Sequence, residues 1–195
     1  MVYRATSHRR CSPHKRLNAD MLRKISAAML PFYKAIATRR TFAVQWSRAV
    51  VHGNLDRMKA LLCSVAPFAA KQGLGTNGIG YFISFLAQPP KLYYTNGTTI
   101  PPGTVQFTFE PRVHRAIARD VFPLYLELAR NSCFASALAK AINRKDQRSV
   151  ALMIRSLIPS TALKSVQIED HGFALLFKYP YSKYPYRNLL IQEFS

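Results

Sequence analysis

Between positions 55 and 65, Leu55, Met58, Leu61, Leu62 and Val65 recur every three or four residues, and Val150, Met153, Ile154, Leu157 and Ile158 do the same further on. That spacing matches the 3.6-residue turn and predicts two helices, each with one buried stripe. Asn54 and Asp146 stand just before them. Their side-chain oxygens can accept from the free backbone N–H groups of a first turn, so both read as N-caps. Pro67 and Pro159 stop the two patterns. Upstream, helical patterns cover about 19–37 and 112–131, with Pro31 and Pro123 inside them, where a missing N–H predicts a kink or a restart. Second helices are expected over 41–52 and 133–143. The period then changes from 3.6 to two. Residues 165–168 alternate, Glu169-Asp170-His171-Gly172 reads as a turn, and Phe173, Leu175 and Phe177 share a face. A last strand is expected over 188–194. In the first half the matching strands are read as 80–86 and 104–109, with Val105, Phe107 and Phe109 to one side and Gln106 and Thr108 to the other.

These parallels are one pattern met twice. Residues 21–86 fall on 113–178 without a gap, at a step of 92. Thirteen paired positions are identical, among them Pro31/Pro123, Tyr33/Tyr125, Phe42/Phe134, Pro67/Pro159, Gly80/Gly172 and Phe85/Phe177, where average residue usage gives roughly four. Apolar character persists at pairs that differ, such as Trp46/Leu138, Val50/Ile142 and Leu62/Ile154. The expected fold class is therefore α+β: two tandem copies of a helical segment followed by a short antiparallel β-meander, its apolar face covered by the helices. The expected division is a basic N-terminal arm at 1–18, a first repeat at 19–110 and a second at 111–195.

With 49% hydrophobic and 19% charged residues, the 195-residue chain is not a disordered polyelectrolyte. No uncharged apolar run is long enough for a membrane span, and no secretion signal is read at the start. The net charge of +19 is shared by both halves and calls for polyanions or acidic surfaces as partners. The glycine-rich run GLGTNGIG at 73–80 lacks the Lys-Ser/Thr of a phosphate loop and is read as a loose turn. Cys11, Cys63 and Cys133 are odd in number, widely spaced and without a CxxC. They are expected to be reduced, with two of them on helices and half-buried. An exposed Cys11 is the alternative, as a link between chains.

Candidate chemistry is sparse. None of His8, His14, His52, His114 and His171 recurs at the 92-residue step. The nine carboxylates offer only Glu169-Asp170 as neighbours, beside His171. No catalytic, cofactor or metal site is expected. Arg4, Arg9, Arg10, Lys15 and Arg16 form a candidate polyanion-docking arm, which suits nucleic-acid phosphates or an acidic protein. No nucleic-acid-binding motif reinforces the first choice. Tyr179, Tyr181, Tyr184 and Tyr186, beside Pro180 and Pro185, are a candidate assembly interface, since tyrosine offers large contact area at low entropic cost.

The second half resembles small coat and exosporium proteins of endospore-forming Bacillales. The resemblance rests on Phe134, Ala135, Leu138 and Ala141 in one helix, Ile154 and Ser156 ending the next, Val166 and Ile168 in a strand, and Gly172, Phe173, Leu175 and Phe177 after the turn. It reaches the first half more weakly, over 42–85, and the doubling departs from the usual single copy. It implies a non-enzymatic structural protein that self-assembles in a spore coat, exosporium or parasporal crystalline layer. Made in the mother-cell cytoplasm, it would be deposited on the spore surface or parasporal body, with copies of itself and more acidic coat proteins as partners and no cofactor. A basic protein that binds nucleic acid or ribosomes is the alternative.

Overall fold

The structure is a computed structural model and describes residues 16–87, 92–103 and 105–194. Helix α1 runs Ala19–Thr38, α2 Arg40–Val51 and α3 Leu55–Val65, followed by a short α4, Pro67–Ala70. Strands β1 (Gly73–Thr76), β2 (Gly80–Ala87) and β3 (Leu92–Thr99) come next. The order then recurs as α5 (Pro111–Arg130), α6 (Ser132–Asn143), α7 (Gln147–Leu157), β4 (Leu163–Glu169), β5 (Gly172–Phe177) and β6 (Tyr186–Phe194). The class is α+β. The paired long helices have equal lengths of 20, 12 and 11 residues, and their bounds keep the 92-residue step.

Local chemistry accounts for the ends. Asn54 Oδ1 accepts from Arg57 N at 2.9 Å, and Asp146 Oδ1 from Ser149 N at 3.0 Å, so both caps are present as expected. Proline does not restart α1 or α5. Each runs on through Pro31 or Pro123, because the lost hydrogen bond is outweighed by a buried face such as Met29, Phe32, Tyr33 and Ile36.

All six strands form one antiparallel sheet in the order β1-β2-β3-β6-β5-β4. The 19–110 and 111–195 segments thus contribute three strands each, and they meet at the central β3–β6 pair. Helices α1 and α5 pack on each other and carry the remaining helices over one face of the sheet. Tyr81, Ile83 and Phe85 of β2 and Phe173, Leu175 and Phe177 of β5 point into that layer, and one buried cluster runs through both halves. On the opposite face Phe82 packs with Ala174, Leu189 and Ile191. The body also takes in the end of the expected arm: Leu17 is buried, and Asn143 clamps its backbone by accepting from Leu17 N at 2.7 Å and donating to Leu17 O at 3.0 Å.

Two expectations are corrected. The third strand of the first half is Leu92–Thr99, not 104–109. Phe107 adopts φ 50° and is 70% exposed, so Val105, Phe107 and Phe109 do not share a strand face. The run 73–80 is not a loose turn throughout, because Gly73–Thr76 pair with Ser84–Tyr81 as a sheet edge and only 77–79 turn. Gly80 and Gly172 recur for lack of space. A Cβ on Gly80 would lie 2.3 Å from Thr99 Cβ, and one on Gly172 would lie 2.2 Å from Leu190 O.

Candidate functional site: a buried polar strut and a cationic cleft

Four polar side chains of the interior converge on the seam between the halves. Tyr33 comes from α1, Tyr125 from α5, Asn96 from β3 and Asn188 from β6; all are fully buried. Tyr33 Oη donates to Asn96 Oδ1 at 2.8 Å, and Tyr125 Oη donates to Asn188 Oδ1 at 3.1 Å. Asn96 Nδ2 donates to Tyr125 Oη and to Leu189 O, while Asn188 Nδ2 donates to Tyr33 Oη and to Gly97 O. Each bond has its counterpart at the 92-residue step, and the rings of Tyr33 and Tyr125 lie 4.6 Å apart at the centre. Burial pushes both phenols above their usual pKa, so they remain protonated donors. Half of this strut was visible in the sequence as Tyr33/Tyr125. The same step applied to the third strand gives Tyr94/Tyr186 and Asn96/Asn188, the signal that was missed.

His114 is the one described histidine in the core. Its Nε2 lies 3.2 Å from Tyr81 Oη, Nδ1 has no partner, and Phe32 and Phe109 flank the ring. Burial lowers its pKa to about 3, which keeps it neutral. At its place in the first half stands Leu22, also buried. His52 is exposed, with Nδ1 2.7 Å from Arg48 O, while His8 and His14 lie outside the described residues. Among the described residues no group of three or more His, Cys, Asp or Glu is placed to hold a metal.

The four tyrosines of the candidate interface divide. Tyr186 is buried and its hydroxyl accepts from Glu110 N at 2.8 Å. Tyr179 is buried against Phe177 and donates to Asp120 Oδ2 at 2.8 Å. Their polar ends bond within the body, so neither serves a surface contact. Tyr181 is exposed beneath the Arg112 guanidinium, 4.0 Å from its ring centre, and Tyr184 is half-buried beside Lys183. Cys63 on α3 and Cys133 on α6 are free thiols but exposed rather than half-buried; each sits on the solvent side of its helix. Cys11 lies outside the described residues, as do Arg4, Arg9, Arg10 and Lys15 of the candidate arm. Arg16 is described and exposed.

Arg16 lines a cleft of about 690 Å³ between the α6–α7 connection and the β4–β5 hairpin, with Asn143, Lys145, Gln147, Asp170 and His171. Lys145 (φ 57°), Asp170 (φ 36°) and His171 (φ 57°) all hold left-handed backbone conformations, which side chains other than glycine adopt at a cost. The matching cleft of the first half, about 540 Å³, has Gly53 where Lys145 stands and Gly78 where Asp170 stands, and Phe107 lines it. The second cleft alone thus brings Arg16, Lys145 and His171 together. Among described residues no helix is long and apolar enough to cross a membrane. No family model, no curated protein and no solved structure matches the chain.

Proposed function

We propose that this chain is a non-enzymatic structural protein, built from two related copies of one unit, that assembles with itself and with more acidic partners in a spore coat, exosporium or parasporal layer. The observation that carries the reading is the buried strut. Tyr33, Tyr125, Asn96 and Asn188 satisfy one another and the backbone of the seam, so these four interior polar groups hold a shape instead of meeting a substrate. The resemblance of residues 134–177 supplies the spore setting. The excess of cations supplies the demand for acidic partners, and the cleft that Arg16 and Lys145 line is where we place their docking. Ordered sheets or lattices are the expected result when the purified chain, freed of nucleic acid, is examined by electron microscopy with and without an acidic partner. Dispersed particles under both conditions would refute the assembly role.

Lys145→Gly tests the docking site without a folding penalty. It copies Gly53, relieves the left-handed strain and should raise stability by about 1 kcal/mol. At low salt it should nevertheless weaken binding of an acidic peptide, measured by titration calorimetry; unchanged affinity argues against the cleft. The second reading, a nucleic-acid- or ribosome-binding protein, is favoured by the same cleft lying at the root of a segment with Arg4, Arg9, Arg10 and Lys15. On that reading RNA affinity falls steeply, by about 10³-fold or more, between roughly 50 and 200 mM salt.

A further inference from the structure

The two outer edges of the sheet are treated differently. At β4, α7 closes the edge with two side chains. Gln147 Nε2 donates to Val166 O at 2.6 Å, and its Oε1 accepts from Ile168 N at 3.0 Å, so the carboxamide stands in for a neighbouring strand. Arg155 donates to Leu163 O and Lys164 O from the same helix. At β1 the corresponding helix is α3, and Leu55 and Cys63 occupy the places of Gln147 and Arg155. Neither can bridge two backbone groups. Leu74 and Thr76, the counterparts of Val166 and Ile168, receive no hydrogen bond on their outer backbone groups from any described side chain. An unsealed edge of this kind is a template for another strand.

Charge says which strand. In a molecule of net charge +19, Lys91 is the one charged residue between Lys71 and Glu110. Strands β1, β2 and β3 are therefore uncharged, whereas β4 and β6 carry Lys164, Glu169, Arg187 and Glu193. Copies that repel each other elsewhere can approach at β1. The elements next to it in the fold or the chain leave large apolar side chains exposed: Leu55 on α3 is 44% exposed, Phe68 on α4 60% and Leu86 on β2 56%. Lys59, between Leu55 and Cys63 on the row, is exposed and on a flexible stem that can carry its charge into solvent.

We propose that β1 pairs antiparallel with β1 of a second copy, joining two six-stranded sheets into one across a twofold axis. The proposal rests on the self-assembly reading above and names its first contact. The test uses the full chain, with reductant present to keep Cys63 free, in sedimentation experiments from micromolar to near-millimolar concentration. The expected result is a reversible dimer that strengthens as salt rises, because salt screens the +19 repulsion without touching the backbone pairing. Docking of acidic partners should respond to salt in the opposite direction. The double substitution Leu55→Gln with Cys63→Arg transplants the β4 seal onto β1 and should weaken the dimer roughly tenfold or more, with helical content and melting unchanged. The converse pair, Gln147→Leu with Arg155→Cys, opens the second edge and should yield species larger than the dimer. A monomer at every concentration and salt, or a dimer indifferent to the transplanted seal, overturns the proposal. Lattices that form with an acidic partner despite either result leave the structural reading standing.

Discussion

Replacing Asn188 by alanine is expected to lower folding stability by about 3–4 kcal/mol, read as the shift of a urea or guanidinium unfolding curve. The carboxamide nitrogen shares its two hydrogens among Tyr33 Oη at 3.0 Å, Gly97 O at 3.1 Å and Thr98 Oγ1 at 3.0 Å, and the carboxamide oxygen accepts from Tyr125 Oη. Truncation leaves the buried Tyr125 hydroxyl without its acceptor and Gly97 O without this donor. An unsatisfied buried group costs more than its bond contributed when made. Asn96→Ala should cost somewhat less, since Leu190 stands where Thr98 would be repeated, and Asn96 thus lacks that further partner. The double substitution should fall well short of the sum, because both residues belong to one network. Additive, sub-kilocalorie effects would show that the strut does not tie the halves together.

Acid should unfold the protein earlier than its carboxylates alone require, and His114 is the reason. Its folded pKa of about 3 lies below the unfolded value near 6.5. The unfolded chain therefore binds a proton over a range where the folded chain does not. Stability from this residue is complete above about pH 6.5 and is lost as pH falls toward 3, at up to about 1.4 kcal/mol per unit and some 4–5 kcal/mol in all. His114→Leu, which copies Leu22, should flatten that slope. It leaves Tyr81 Oη its bond to Thr98 Oγ1 at 3.3 Å. Unfolding midpoints measured at several values between pH 7 and 4 check this; parallel losses in the two proteins would mean that His114 protonates without unfolding.

The helices were legible because their burial has a single period and their caps are local chemistry. Asn54 and Asp146 could be read without knowing what the helices pack against. The third strand was not, because two of its inward positions are polar. Asn96 and Thr98 face the helices, so Leu92–Thr99 shows no apolar alternation, and Asn96-Gly97 reads as a turn. The segment 105–109 does alternate, yet Phe107 bends into the left-handed region and into solvent. The pattern records residue types, whereas the strand is selected by its partner. The tyrosine-rich segment misled in a related way: composition marks a residue as suited to an interface but does not say whether the partner is another chain or, as for Tyr179 and Tyr186, the protein itself. Of the cleft, only the Glu169–Gly172 turn was readable. Its convergence with Arg16 and Lys145 depends on a backbone conformation that glycine marks in the first half and nothing marks in the second.

Placing the seam of the sheet between β3 and β6 has a consequence for synthesis on the ribosome. Asn96 waits for Leu189, 93 residues later, before its carboxamide is satisfied. At typical elongation rates that interval is about 5–20 s. Throughout it the first half carries two bare strand margins, one of them destined for the middle of the finished sheet. Chains stalled or cleaved before Tyr186–Phe194 emerge should therefore be the aggregating species, and chaperones should engage this protein late in translation.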